Sequence, residues 1–350
     1  MITATVAVAT ATIEAATSTR PKNYHDTATI LVQMLKRSVA RALRILVAVG
    51  LTAFLLWQSD PAAILAAGRQ ADLTFIAIAC ALVFVDRALM AFRWLTLLSP
   101  LDPAHRPRFA VLLRVFLVST FLGTFLPASV GGDALRAYGL SRQGVGGADA
   151  LASVLMDRLL GVMSILLVAA AGAVLAQGFI DVRIILPALA FLTAACALAL
   201  AVVFSPRMAA ALGALIARLP RGQQPAHRLV AAIQRYAAFR GELANVLICS
   251  VAVQVLRVLQ TYYLGLALGL TLSLSVYFAL VPIILLIVLM PITISGIGTA
   301  QAGFVWLFGR AGIPSATAFA LSVLFLAIAV VGNLPGGLLY VFGERNENEK

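Results

Sequence analysis

Several charged side chains stand inside otherwise apolar stretches, and these residues have the types and spacing to do chemistry: Asp86-Arg87, Arg93, Asp133 with Arg136, Asp157-Arg158, and Arg257. A charge in hydrocarbon is costly and is kept for pairing or for function. The densest group surrounds Leu126-Pro127-Ala128-Ser129. Ser119, Thr120, Thr124 and Ser129 supply hydroxyls, Asp133 and Arg136 follow, and Asp157-Arg158 come in the next apolar stretch. Backbone amides freed at a broken helix, with Arg forks beside them, are suited to receive a phosphate. A second group has Thr293, Ser295 and Gln301 after Pro291, preceded by Arg257 and Gln260, which are three apart and share a helix face. Arg87 is adjacent to Asp86, which permits mutual neutralisation but directs the two side chains to different faces. Arg93, next to Trp94 at the end of its stretch, reads as a snorkelling residue whose head reaches the interface. Arg114 reads similarly. The candidate substrate-binding set is Arg87, Ser129, Asp133, Arg136, Asp157, Arg158, Arg257, Thr293, Ser295 and Gln301. The competing reading for part of the set is a structural pair between Asp157 and Arg257 with no ligand.

No reactive constellation accompanies these charges. There is no Ser-His-Asp or Cys-His set, and no Walker loop, EF-hand or HExxH motif. Gly144 to Gly147 is glycine-rich but follows no strand. Cys80, Cys196 and Cys249 all lie in apolar stretches without metal spacing, and His25, His105 and His227 are far apart. The expectation is a protein with no catalytic residue, no metal site and no cofactor, and not an enzyme.

The elements that must position these residues are membrane helices. Of 350 residues, 62% are hydrophobic and 11% charged, against about 25% charged in soluble domains. Apolar blocks recur at lengths near the roughly 20 residues that cross a bilayer. Six read as full spans, at about 42–58, 73–95, 151–176, 184–204, 245–268 and 315–342. Two shorter blocks are broken. One runs from Phe109 to Leu126 and stops at Pro127, Gly131 and Gly132; the other runs from Leu274 to Met290 and stops at Pro291, Gly296 and Gly298. Proline removes a backbone donor and glycine permits sharp turns. The net charge of +12 resides mostly between the apolar blocks, as the positive-inside rule requires of cytoplasmic loops, and does not form a nucleic-acid stripe.

Charge also decides the drawing. With Lys36, Arg37, Arg41 and Arg44 holding the N-terminus inside, a full crossing by 109–126 would put the Arg-rich 205–241 segment outside. Drawing 109–148 as a hairpin that dips in and returns puts that segment inside. Each half then reads span, span, hairpin, span, in opposite orientations, and Leu126-Pro127-x-Ser129-x-x-Gly132 answers Met290-Pro291-x-Thr293-x-x-Gly296. The expected fold is an all-α membrane protein with about six transmembrane helices and two re-entrant broken-helix hairpins in an inverted repeat. Such repeats place a transport site between the breaks. The expected layout is a disordered cytoplasmic tail over 1–40, a polytopic membrane domain over 41–343 and a cytoplasmic tail over 344–350. The repeats cover about 41–176 and 184–343. An interfacial segment lies within 205–241, where Leu229, Val230, Ile233, Tyr236 and Ala237 form an apolar face with Arg228 and Arg235 off it. The chain is expected in the inner membrane with both termini cytoplasmic.

At the two breaks the chain resembles a known group. Phe125-Leu126-Pro127-Ala128-Ser129-Val130-Gly131-Gly132-Asp133 to Arg136, then Asp157-Arg158, looks like the first signature of the flippase-like membrane family, and Pro291 to Gly298 looks like the second. That family includes the transmembrane half of lysylphosphatidylglycerol synthases, and the resemblance covers roughly 35–343. It implies movement of a polar lipid between leaflets. The excess of Arg87, Arg136, Arg158 and Arg257 over Asp86, Asp133 and Asp157 around the breaks points to an anionic or zwitterionic headgroup, and a neighbouring lipid-modifying enzyme or glycosyltransferase is the expected partner. The alternatives are a membrane enzyme acting on lipid headgroups and a non-transporting scaffold. The family often carries an acid where Gln301 stands and Glu-Arg where Asp157-Arg158 stands, so this chain has no carboxylate for proton coupling at 301. The soluble aminoacyltransferase domain of the synthases has no counterpart in the sequence.

Overall fold

A computed structural model describes residues 69–98, 108–125, 130–175, 182–216, 223–289 and 296–343, and every regular element among them is helical. The expected span at 42–58, the tails at 1–40 and 344–350, and the break residues Pro127, Ser129, Pro291, Thr293 and Ser295 lie outside the described residues. The helices are α1 (Leu73–Leu98), α2 (Phe109–Phe125), α3 (Val130–Ser141), α4 (Gly147–Leu175), α5 (Val182–Phe204), α6 (Pro206–Ile216), α7 (Gln223–Arg235), α8 (Arg240–Ala267), α9 (Leu274–Leu289), α10 (Thr299–Arg310) and α11 (Ser315–Gly343). A single 3-10 turn, Tyr236–Ala238, joins α7 to α8.

α1, α4, α8 and α11 are long and apolar enough to cross a membrane, and the bent pair α5–α6, turned by 101° at Ser205-Pro206, makes a fifth if it is one span. The chain is a multi-pass membrane protein. α4 and α8 begin earlier than the apolar runs imply, because Asp149 and Glu242 sit in their first turns and favour the positive end of the helix dipole. α2 and α9, at 17 and 16 residues, reach only about 25 Å, short of a bilayer core of about 30 Å.

Each of these short helices packs against the helix that follows it. A Cβ on Gly123 would lie 2.9 Å from the Gly132 Cα, and one on Gly139 would lie 2.9 Å from Val115 Cγ1. These glycines therefore let α3 run back along α2. α10 packs on α9 in the same way. α1 and α8 form the most extensive helix pair, α2 packs on α11, and α4 packs on α9. The main core is built on α8 to α11, where Tyr277, Phe304 and Phe308 are fully buried. A second cluster seats α7 and the 3-10 turn against α1 and α4 through Leu229, Ala232 and Tyr236. Leu229, Val230 and Tyr236 are buried, while Arg228 and Arg235 are exposed, so the apolar face read from the sequence is the one turned inward.

Candidate functional site

Packing α1 on α8, and α3 on α4, collects the charges into three groups. The first is built around Asp157 of α4. Arg136 Nη1 donates to its Oδ2 at 3.3 Å, and Arg93 Nη2 of α1 lies 2.7 Å from its Oδ1. The latter is an ion pair out of line for a hydrogen bond. Arg93 also donates to Ser250 Oγ at 2.9 Å. Arg136 is held between two rings, its guanidinium carbon 4.6 Å from the Phe116 centroid and 5.2 Å from that of Trp94. A cation stacked in this way is stabilised by the ring quadrupoles. All three charged residues are no more than 5% exposed.

Arg93 is therefore not a snorkelling residue. It points inward because Asp157 and Ser250 meet it on α4 and α8, a partnership its adjacency to Trp94 does not reveal. The competing reading, a structural pair between Asp157 and Arg257, does not hold either. Asp157 is taken by Arg93 and Arg136, and Arg257 turns to α1 instead.

The second group connects α1, α8, α11 and α2. Asp86 and Arg87 do pair, with Arg87 Nη1 donating to Oδ2 at 2.8 Å; the side chains bend back toward each other even though the backbone starts them on different faces. Arg257 Nε lies 3.5 Å from Asp86 Oδ1. Arg87 Nε donates to Asn333 Oδ1 at 3.0 Å, and Asn333 Nδ2 donates to Thr124 Oγ1 at 3.1 Å. Asn333 was not singled out from the sequence, although a lone amide inside an apolar helix is the same kind of signal as a lone charge.

The third group is the most open. Arg158 Nε and Nη2 donate to the two oxygens of Asp133, each at 2.8 Å, in a fork that joins α4 to α3. The Arg158 side chain is 45% exposed and that of Asp133 19%. Of the remaining candidates, Gln301 is buried and its Oε1 accepts from the Gly298 amide at 2.6 Å, capping the start of α10. Gln260 is buried on α8, and its Nε2 has no hydrogen-bond partner.

Among the described residues, Arg87, Arg93, Arg136, Arg158 and Arg257 face Asp86, Asp133 and Asp157, so cations exceed anions in all this packing. Asp86 Oδ1, Arg93 Nε and Arg136 Nε are buried without a hydrogen-bond partner. Among the described residues no three His, Cys, Asp or Glu side chains gather to hold a metal. The arrangement leaves five guanidinium groups against three carboxylates among the described residues, with the Arg158–Asp133 pair the most accessible of them.

The sequence model of one protein family, described as the lysylphosphatidylglycerol synthase transmembrane region, matches residues 41–336. No curated protein and no solved structure matches the chain.

Proposed function

This chain belongs to the lysylphosphatidylglycerol synthase transmembrane family, and from that premise we propose that it moves a phosphate-bearing lipid headgroup between membrane leaflets. The observation that carries the reading is the forked Arg158–Asp133 pair, half-exposed and beside a buried group with surplus positive charge. Two oxygens of a phosphodiester fit the same guanidinium fork as two oxygens of a carboxylate. A headgroup can therefore replace Asp133 on Arg158 without leaving the cation bare. The surplus of arginines holds the anion in a low-dielectric site, where one net charge counts far more than in water. The acyl chains stay in lipid.

We read the chain as an inverted repeat with two re-entrant hairpins, an arrangement that favours movement over simple binding. The spacing from Pro127 to Pro291 recurs from Gly132 to Gly296, from Gly139 to Gly303, from Gly172 to Gly336 and from Arg93 to Arg257. Paired residues do paired tasks. A Cβ on Gly172 would meet the Phe278 carbonyl of α9 at 2.3 Å, and one on Gly336 would meet the Leu117 carbonyl of α2 at 2.1 Å. Arg93 of α1 donates to Ser250 of α8, and Arg257 of α8 lies against Asp86 of α1, four positions related by that same spacing. Two equivalent hairpins on equivalent helices are what alternating access uses.

The test is movement of a fluorescent-headgroup phosphatidylglycerol in reconstituted vesicles, read by protection from a membrane-impermeant quencher. Wild type moves the lipid and Arg158→Gln does not, while both insert and melt alike. Movement by Arg158→Gln at the wild-type rate would overturn the reading and favour a scaffold.

A further inference from the structure

We infer that the groove between α2, α3 and α11 binds one anionic diacyl phospholipid, at a place separate from the Arg158–Asp133 pair. The groove holds about 490 Å³, within the roughly 300–1,000 Å³ of ligand pockets. Its walls are apolar, with Leu122 of α2 and Leu135 of α3 half-buried along it. Its polar side has one sign of charge. Arg114 of α2 and Arg142 just beyond α3 both line it, both are exposed, and no carboxylate lines it. Neither arginine has an ion pair or hydrogen bond from its side chain among the described residues.

The hairpin brings these two cations together: α3 returns along α2, so the end of one helix lies beside the first half of the other. Gly139 against Val115 and Gly336 against the Leu117 carbonyl fix the width. Tyr138 and Tyr340, 61% and 41% exposed, flank the opening, in the way amphipathic rings sit at a headgroup level. Apolar walls continuous with an exposed Leu339 suit acyl chains and give a free phosphate ion nothing to bury. Two Arg forks suit the phosphate of a lipid. The inference stands apart from the transport reading, because Arg158 does not line the groove.

The full-length protein is reconstituted with equal phosphatidylglycerol and phosphatidylcholine, extracted in mild detergent, and its retained lipids are counted by native mass spectrometry. The parent protein retains phosphatidylglycerol over phosphatidylcholine by roughly tenfold, the worth of about one charge-assisted bond. Arg114→Gln/Arg142→Gln loses that preference. Leu135→Trp, which fills the groove and keeps both cations, loses the retained lipid of either kind. Arg310→Gln, a charge control on α10, keeps the parent's preference. All of these proteins, the parent included, carry Arg158→Gln as background, so lipid held at the transport pair does not enter the count and loss of transport is told apart from loss of this site. Unchanged preference in the double arginine variant overturns the proposal. So does retention by Leu135→Trp, or displacement of the lipid by inorganic phosphate alone.

Discussion

Two kinds of arginine share this interior, and burial separates their tasks. Arg93 and Arg136 are enclosed around Asp157, whereas Arg158 is half-exposed on Asp133. Breaking a buried ion pair on one side leaves an uncompensated charge, at a cost of about 3–5 kcal/mol. Asp157→Asn is therefore expected to lower the thermal midpoint in detergent sharply, and Arg93→Ala to follow it, because each removes a partner the other needs. An exposed pair is worth only about 0–1 kcal/mol, so Arg158→Gln should leave the midpoint nearly unchanged. Equal losses in all three variants would mean that exposure does not sort these residues. A similar argument applies to Tyr236, whose hydroxyl donates to the Leu97 carbonyl at 2.8 Å. Burial, reinforced by Asp149, pushes that hydroxyl well above the ordinary tyrosine range. With the folded value raised, the contribution is full below the unfolded value of about 10 and is lost as pH rises beyond it. Tyr236→Phe should cost about 0.5–1.5 kcal/mol near neutrality and flatten the alkaline fall in stability. A wild-type and variant pair with parallel alkaline limbs would count against this.

At the scale of helices, close approach depends on glycine. The α4–α9 and α2–α11 contacts each place a carbonyl where a Cβ would stand, at Gly172 and Gly336. Between membrane helices packing contact replaces the hydrophobic drive, so small residues carry the interface. Gly172→Ala and Gly336→Ala are each expected to destabilise by about 1–3 kcal/mol, the usual cost of overpacking. Gly309→Ala, with nothing within 4 Å, should do neither harm nor more than slight good; thermal melts of the three variants decide it. The helices themselves were legible in the sequence, because a block such as 73–95 is long and mostly apolar despite Asp86, Arg87 and Arg93. The ends of α2 at Phe125 and of α9 at Leu289 were legible for the opposite reason, since Pro127 and Pro291 follow closely in the sequence. Side-chain partnership was not legible. Arg93 meets Asp157 and Ser250 only after α1, α4 and α8 have packed, and nothing local to Arg93-Trp94 records that. Arg114 and Arg142 are distant in sequence and adjacent only through the hairpin. Asn333 could have been found, as a lone amide in an apolar run.

For the molecule as a whole, the arrangement in the membrane follows from the two short hairpins. If α2 and α3 enter and leave on one side, α4 starts where α1 ends, and α7 lies on that same side. The docking of α7 agrees with this: Asp149 in the first turn of α4 is paired with Arg235 of α7, and Tyr236 meets the carbonyl of Leu97 at the end of α1. The end of α1, the start of α4 and the whole of α7 thus share one face of the molecule. Arg228, Arg235 and Arg240 belong to α7 and the start of α8, and the positive-inside rule predicts a cytoplasmic position for them. α8 runs from that face to Ala267, and the turn after it lies at the other surface. Single cysteines at Ala231 and Thr271, both exposed positions, in a background lacking Cys80, Cys196 and Cys249, should therefore react differently with an impermeant thiol reagent on intact cells. Thr271→Cys labels from outside, and Ala231→Cys labels only after permeabilisation. If Ala231→Cys labels in intact cells, the face shared by the end of α1, the start of α4 and α7 is external, and the orientation drawn from the positive-inside rule fails.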